Sequence, residues 1–176
     1  MPKILENVRA RAILNARRIL TNEGYEALTV RRVAAEVHIA PATIYNYFPS
    51  KEDLMACVML EDWQQLTARF DTDENRLPAE ETVRVLYDTV QSFSRVYNDA
   101  WLHLRYEPGI RSDTMRQRFH PVLVEQLSRY IIKSMPAEQA GAEPWLAPFL
   151  AELVLRFGAD VAGTYGKIEP AVAVLL

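Results

Sequence analysis

The sequence predicts an all-α protein in which a small three-helix head precedes a larger helical body. Apolar residues recur at three- and four-residue spacing through most of the 176 residues, which is the period of an amphipathic helix. Strand-length runs of alternating apolar β-branched and polar residues are nearly absent. Charge divides the chain as well: residues 1–51 contain eight basic and four acidic residues, whereas residues 52–176 contain 12 and 19. A basic head on an acidic body indicates that a polyanion would be bound at one end only.

Composition and charge exclude several classes of protein. Of all residues, 49% are apolar and 24% are charged, which suits a folded chain with a substantial core. The net charge of −3 argues, taken alone, against nucleic acid as a partner. The single cysteine, Cys57, allows no intrachain disulfide bond. Cys57 and the three histidines lack the spacing of metal ligands, so we expect no metal site and no cofactor.

Targeting and membrane signals are not found in the sequence. It has neither the pattern of a signal peptide nor an uncharged apolar run of about 18 residues. We therefore expect a cytoplasmic protein with no membrane partner.

Three helices are predicted in the head. The first covers roughly residues 5–22, where apolar residues form one stripe, and Gly24 suits the left-handed conformation just beyond its end. Thr29 is placed to cap a short second helix. Pro41, well placed at a first helical position, opens a third helix that ends near Tyr47. Two short helices that are joined by a tight turn and braced by a longer one predict a helix-turn-helix module.

The body is predicted to follow a long helix that links it to the head. Ser50 and Asp53 have the spacing of a capping box, which starts this fourth helix over about 51–70. Proline and glycine divide the rest of the chain into further predicted helices at about 79–98, 99–106, 113–135 and 145–163, followed by a short closing segment from Ile168 to Leu176. The predicted domains are therefore the head, residues 1–51, and the body, residues 52–176.

One side of the third helix is predicted to be free. With Ile44 at zero and about 100° per residue, Phe48 and Pro41 lie within about 60° of it and define the buried side. The outward surface consists of Ala42, Thr43, Tyr45 and Asn46. Asn can pair with adenine through two hydrogen bonds, Thr and Ala can meet a thymine methyl group, and a small Ala lets a helix lie deep in a major groove. The sequence therefore predicts that this surface reads DNA bases.

Groups that could hold phosphate surround the third helix. They are Thr29 with the free amides of the second helix, Arg31 and Arg32 in its first turn, Tyr47, and Lys51 at the start of the fourth helix. Any one of these features is more often a solvated helix end or a packing residue than a DNA contact. Their arrangement around one short helix favours phosphate binding on both sides of the reading surface.

Several motifs in this region resemble the TetR family of bacterial transcription regulators. They are ILNARRIL at residues 13–20, Gly24-Tyr25, LTVRRVA at residues 28–34 and TIYNYFPSKEDL at residues 43–54. The resemblance implies a DNA-binding head on a divergent helical body that binds a ligand and dimerises. The family usually has Gly where this chain has His38, a residue that adopts the left-handed conformation at some cost.

The resemblance also implies which residues contact DNA and how the chain assembles. Matched by motif, the family's contacting positions are Thr29, Arg31, Pro41, Ala42, Thr43, Tyr45, Asn46, Tyr47 and Lys51. A homodimer would place two such heads on a palindromic operator in double-stranded DNA.

The helix at 145–163 is the predicted dimer contact. Similarity to the family suggests that this helix and the closing segment pair with their copies. The small-residue face proposed for the contact consists of Ala151, Leu155, Gly158, Ala159 and Ala162. The alternative is that this face only fits a helix crossing inside the chain.

A ligand cavity is predicted between the helices of the body. It would be lined by apolar and aromatic side chains, although such side chains more often belong to the core. The candidates are Trp63, Leu66, Tyr87, Phe93, Tyr97, Trp101, His103, Phe119 and Phe149.

The function predicted from these features is ligand-responsive transcription regulation. We expect a repressor that a small apolar or aromatic effector releases from DNA. Two other classes stay open. One is an all-α enzyme, although no Ser/His/Asp, Cys/His or paired-carboxylate motif stands out. The other is a helical small-molecule or partner-binding protein that no longer reads DNA, for which His38 and the acidic total are the indications.

Overall fold

The computed structural model of the chain describes the backbone of residues 2–72, 77–98 and 112–176, and the side chains of these residues except 2–6 and 112–119. All regular secondary structure in these ranges is helical, which confirms the predicted all-α fold. The described chain divides into two units, one with residues 2–65 and the other with the remaining described residues. The predicted helix at 99–106 lies outside the described ranges. The domain boundary after residue 51 stays a prediction, since this division follows packing and not function.

Four helices start in the first unit. They are α1 (Pro2–Glu23), α2 (Val30–Val37), α3 (Pro41–Tyr45) and α4 (Lys51–Thr67). Each contributes fully buried apolar side chains, among them Ala12, Ala16, Ile19, Val33, Ala34, Ile44, Leu54, Met55 and Val58. The division between the units falls within the last turn of α4, which is therefore the covalent link between them.

Local side-chain and backbone signals fix the helix ends where the sequence predicts them. Gly24 has a φ of 83° and donates its N–H to the Leu20 carbonyl at 3.2 Å. Thr29 caps α2, because its hydroxyl accepts the Arg32 amide at 3.1 Å. At the start of α4, Ser50 accepts the Asp53 amide at 3.0 Å and donates to its carboxylate at 2.9 Å. The predicted capping box is thus confirmed.

Ion pairs join α1 to α4. Arg17 lies 2.5 Å from Asp62 through Nε and 3.3 Å from Glu61 through Nη2. Arg9 lies 3.4 Å from Glu61. These arginines link α1, which packs against α2, to α4.

The second unit consists of five α-helices among the described residues, and the helix Leu146–Gly158 packs against two of the others. Its elements are α5 (Ala79–Val96), α6 (Ser112–Ser134), α7 (Ala137–Ala142), α8 (Leu146–Gly158) and α9 (Glu169–Leu175). α8 packs against both α5 and α6. Where Gly158 meets α5, a Cβ atom would lie 3.0 Å from a methyl carbon of Val90. The absence of a side chain permits this close approach.

The C-terminal helices differ from the prediction in two places. α8 ends at Gly158 instead of continuing to residue 163, and Asp160 lies in the turn that follows. There Asp160 accepts hydrogen bonds from Lys167 Nζ and the Ala162 amide, each at 3.2 Å, and the bond from Lys167 in particular holds the pKa of its carboxyl below the usual value. The helix α7 is absent from the prediction because its Gly141 and the preceding Pro136 both indicate breaks.

Candidate nucleic-acid interface

α3 has one buried and one free side, as its helical spacing predicts. Ile44 is fully buried, and Phe48, just past the helix, is 1% exposed. On the other side Ala42 and Asn46 are exposed, and Tyr45 exposes 48% of its surface. The structure thus brings three of the four predicted base-reading residues onto one free surface.

Two residues of α3 lie differently from the prediction. Pro41 is assigned to the buried side by the spacing, but it is exposed because it begins the helix and lies at the edge of the packed side. Thr43 is predicted to face outward and is half-buried. The free surface therefore consists of Pro41, Ala42, Tyr45 and Asn46, with Thr43 at its margin.

The turn between α2 and α3 begins with a residue in the left-handed conformation, although that residue is not glycine. His38 ends α2 with a φ of 59° and a ψ of 46°, in the left-handed region. The next amide, of Ile39, donates to the Ala34 carbonyl at 3.0 Å, a bond typical of helix ends that usually have Gly. Arg11 donates from Nη2 to the last carbonyl of α2, at Val37, at 2.8 Å. A cation at this end also suits the helix dipole.

The two arginines in the first turn of α2 have different surroundings. Arg31 is exposed, and no ion pair of its side chain falls within the described residues. The guanidinium of Arg32 binds Glu23 through Nη1 at 2.9 Å and Nη2 at 2.6 Å, and its Nε lies 3.4 Å from Glu36. Hydrogen bonding to Arg32 lowers the pKa of Glu23, and hydrogen bonding to Arg18 lowers that of Glu36. Sequence reasoning missed Glu23, because a loop separates it from Arg32 and no helical spacing relates them.

Lys51 is positioned at the start of α4 by an aromatic ring. Its ammonium nitrogen lies 3.5 Å from the centroid of the Tyr25 ring, which is a cation–π contact. Tyr25 is buried and donates its hydroxyl to Glu52 at 3.1 Å. Tyr47 is half-buried, with its ring centroid 6.3 Å from that of Phe48. Tyr25 is a second residue that sequence reasoning missed as part of this site.

The first unit has less available positive charge than the sequence arithmetic suggests. Residues 1–65 contain eight basic and eight acidic residues, because α4 adds four acids to the basic head. Ion pairs engage four of the arginines, Arg9, Arg17, Arg18 and Arg32. Among the predicted phosphate contacts that the structure describes, Arg31 and Lys51 are the cations without a carboxylate partner.

The predicted ligand contacts differ in burial. Within the described side chains, Trp63, Tyr87 and Tyr97 are buried, Phe93 is half-buried, and Leu66 and Phe149 are exposed. Trp101, His103 and the side chain of Phe119 lie outside what the structure describes. The rings of Phe93 and Tyr97 lie together, with centroids 4.9 Å apart. The ligand-binding role of these residues stays a prediction.

The end of α8 divides the predicted dimer face. Ala151, Leu155 and Gly158 are buried within the second unit, whereas Ala159 and Ala162 are exposed and follow the helix. The internal crossing, which is the alternative interpretation, accounts for the three buried residues. The residues that α8 and its N-cap expose are Trp145, Pro148, Phe149, Glu152 and Arg156. Dimer contact through this helix stays a prediction.

The described part of the chain contains neither a metal-binding cluster nor a membrane-spanning helix. Within the described side chains, no three His, Cys, Asp or Glu residues are grouped as a metal site requires. The described helices include none that is both long enough and apolar enough to cross a membrane.

The geometry of the first unit defines a helix-turn-helix domain: α2, a tight turn and the free-sided α3, supported by α1. Residues 13–58 match a family model described as "Bacterial regulatory proteins, tetR family". These 46 of the 176 residues, which include α2 and α3, are therefore similar to the DNA-binding region of that family.

Curated relatives resemble part of the chain. The transcriptional repressor KstR of Rhodococcus jostii is 31% identical over 88 residues, which cover 49% of this chain and 42% of KstR. The transcriptional regulator UidR of Escherichia coli is 32% identical over 62 residues, which cover 35% of this chain and 32% of UidR. The chain therefore matches less than half the length of these relatives.

Solved structures resemble the chain over most of its length. Salmonella enterica GusR has a TM-score of 0.54 and 18% identity, with 97% of this chain and 95% of GusR covered. RolR in complex with resorcinol has a TM-score of 0.54 and 15% identity, with 98% and 96% covered. At these identities the likeness shows a shared fold.

Proposed function

We propose that the chain is a sequence-specific DNA-binding transcription regulator. As a homodimer it would bind a palindromic operator and repress transcription, and a small apolar or aromatic effector would release it. The observation that carries this proposal is the free side of α3, where Ala42, Tyr45 and Asn46 are exposed beside the buried Ile44. The cytoplasm is the compartment in which a bacterial protein would perform this function.

The chemistry of the free side of α3 suits the major groove. Asn46 can donate to and accept from one adenine, and Ala42 can approach a thymine methyl group closely. Residues 41–46 carry no charge, so base contacts there would depend on hydrogen bonds and methyl contacts. A wrong base pair should therefore cost about 1–3 kcal/mol of binding free energy.

Phosphate contacts would come from the ends of neighbouring helices. Arg31 and Lys51 have no carboxylate partner among the described residues, so either can bind an anion without first breaking an ion pair. The first turn of α2 adds free amide groups, which attract anions. Tyr25 would help by holding the Lys51 ammonium in one place, which lowers the entropy lost on binding.

A homodimer is supported by the exposed stripe of α8. Trp145, Phe149, Glu152 and Arg156 are three or four residues apart and so lie on one side of the helix. In an antiparallel pair of α8 helices with a two-fold axis at the level of Val154, Glu152 lies opposite Arg156 of a second copy, and Phe149 lies opposite the small Ala159. The stripe is therefore complementary to itself, as a two-fold contact requires.

Charge reversal tests this dimer contact. Glu152→Arg or Arg156→Glu alone should weaken the dimer at least about tenfold in sedimentation equilibrium, because like charges would face each other. The double variant should restore the dimer, since each pair is again of opposite charge. A dimer that neither single change weakens would place the contact elsewhere.

The effector would act by opposing DNA binding. Aromatic side chains are numerous among the candidate ligand contacts, and RolR, which shares the fold, has been solved with resorcinol, an aromatic compound. Effector binding would favour a dimer in which the α4 helices hold the two α3 helices at the wrong separation for adjacent half-sites. Effector and DNA would then weaken each other reciprocally, by about 1–3 kcal/mol.

The purified protein should select a sequence from random duplex DNA. The proposal expects an inverted repeat whose half-sites lie about one helical turn, roughly 10 base pairs, apart. Failure to enrich any sequence would contradict it. The alternative function, a helical binding protein that no longer reads DNA, is not favoured by the relatives, which are transcription regulators. That alternative expects no salt-dependent binding to duplex DNA.

A further inference from the structure

A ring of alternating charges lies beside the start of α2, next to the proposed phosphate contacts. Arg32 binds Glu23 through both terminal nitrogens, at 2.9 and 2.6 Å, and its Nε lies 3.4 Å from Glu36. Arg18 completes the ring, 2.5 Å from Glu36 and 3.9 Å from Glu23. Two carboxylates therefore balance two guanidinium groups.

Arg31, the preceding residue, stands outside this ring. Its side chain is exposed, and no carboxylate among the described residues lies within ion-pair distance of it. Neighbouring residues of a helix point about 100° apart, so the two arginines face different surroundings. One arginine is available to an anion, while the other already binds one.

We propose that Glu23 limits the affinity of the first unit for DNA of any sequence by occupying Arg32. The inference rests on the proposed function and assigns Glu23 a role within the same site. Phosphate contacts contribute alike to every DNA sequence, whereas base contacts distinguish sequences. With Arg32 occupied, binding to DNA without an operator stays weak, and the base contacts of α3 decide where the protein remains bound.

The carboxylate of Glu23 has two advantages over an approaching phosphate. It belongs to the same chain, and it meets the guanidinium in the two-point geometry that suits Arg. A phosphate that displaced it would also lie close to the released negative charge, which would repel it. Replacement of Glu23 by Gln keeps the size of the side chain but removes its negative charge, and with it the two-point ion pair and the repulsion of phosphate.

The experiment measures binding to a duplex of random sequence at several salt concentrations. Each phosphate contact contributes about 0.9 to the slope of log affinity against log salt. A Glu23→Gln homodimer should therefore have a slope steeper by about 1.8 and bind about tenfold more tightly at low salt. Glu138→Gln is the matched control, because it removes the same charge from exposed α7 in the other unit. It should bind as the wild type does.

Arginine variants test the same claim with Glu23 intact. Arg31→Gln should reduce the slope by about 1.8 per dimer, and Arg32→Gln should reduce it by less than half as much. In the double variant, Glu23→Gln with Arg32→Gln, the gain in affinity should disappear. Thermal unfolding followed by circular dichroism checks that each protein is folded.

Three results would overturn the inference. The first is an unchanged salt slope in folded Glu23→Gln. The second is a gain that persists after Arg32→Gln, because the charge of Glu23 would then act without Arg32. The third is an equal loss for Arg31→Gln and Arg32→Gln. In all three cases DNA binding itself remains, whereas a failure of every variant and the wild type to bind duplex DNA would overturn the proposed function as well.

Discussion

The two units of the chain differ in the contacts that join the helices inside each unit. In the first unit, ion pairs of Arg9, Arg17, Arg18 and Arg32 link separate elements. In the second, α8 packs on α5 and α6 and buries only residues without a polar side chain, while its exposed Glu152 lies 3.0 Å from His120 of α6. A buried amide, that of Gln91, donates to the Gly163 carbonyl at 2.7 Å. A helix such as α3, whose outer side stays free, can bury only one side. In the first unit, charged pairs between elements therefore add to the contacts of the buried apolar side chains.

The largest effect on the free energy of unfolding is expected when one large buried side chain is removed from the core of either unit. Ile44→Ala removes the side chain that seats α3, and Ile131→Ala removes an equally buried one from α6. Each should lower the free energy of unfolding of its own unit by about 2–5 kcal/mol. Hydrogen exchange should locate each loss in the unit that was changed, and DNA affinity should fall more for Ile44→Ala. If either substitution reduced protection from hydrogen exchange equally in both units, the units would not be stabilised separately, which would contradict this prediction.

A smaller effect is expected from removal of a free cation. Lys51→Ala should weaken binding to all DNA sequences similarly, by about tenfold at low salt, and reduce the salt slope by about 0.9 per head. Lys133→Ala removes an exposed lysine of α6 and should leave both quantities unchanged. Fluorescence anisotropy with labelled duplexes at several salt concentrations measures both. An effect of Lys51→Ala confined to one sequence would mean that Lys51 reads a base.

The turn before α3 offers a change that should stabilise the first unit. His38 has a φ of 59°, and a side chain with Cβ adopts this conformation at a cost of about 1–2 kcal/mol. His38→Gly removes that strain but adds freedom to the unfolded chain, so the net gain should be up to about 1 kcal/mol. Denaturant unfolding measures it, with His38→Ala as a control that should show no gain. A lower stability of His38→Gly would mean that the imidazole contributes to the turn.

The smallest effect is expected from the exposed ion pairs when the pH is lowered. The pKa values of Glu23 and Glu36 lie below 4.5, chiefly because Arg32 and Arg18 hydrogen-bond to them. A lowered pKa in the folded chain means that these pairs contribute fully above the unfolded pKa and lose their contribution as the pH falls through the folded one. The difference in Tm between the wild type and the Glu23→Gln, Glu36→Gln variant should therefore be constant near neutral pH and shrink as the pH falls below 4.5. A difference that widens on acidification would contradict this sign.

The sequence predicts the local parts of the site well. Thr29, Ser50 and Gly24 mark helix ends through bonds to nearby backbone, and the spacing around Ile44 correctly predicts which side of α3 is buried. These features depend on residues a few positions apart, so the printed order of residues contains the necessary information.

Contacts between distant residues could not be predicted in the same way. The pairing of Arg32 with Glu23 crosses a loop, and the approach of Gly158 to Val90 joins two helices far apart in the chain. Residue spacing alone therefore predicts that Arg32 is free to bind phosphate. It also cannot distinguish whether the small residues around Gly158 form a helix crossing inside the chain or a dimer contact. Pro41 is misplaced for a different reason, since helical arithmetic ignores the end of the helix.

The central claim is that the free side of α3 reads DNA. Base preference at a single position of the DNA half-site tests it most directly. The wild type and Asn46→Ala would each select sequences from the same random duplex library, with Asn22→Ala, an exposed change on α1, as the control. We predict that the wild type and the control select the same inverted repeat. Asn46→Ala should lose its preference at one base pair of each half-site, a change of about 1–3 kcal/mol in discrimination. An Asn46→Ala protein that selects the wild-type sequence unchanged would contradict the claim.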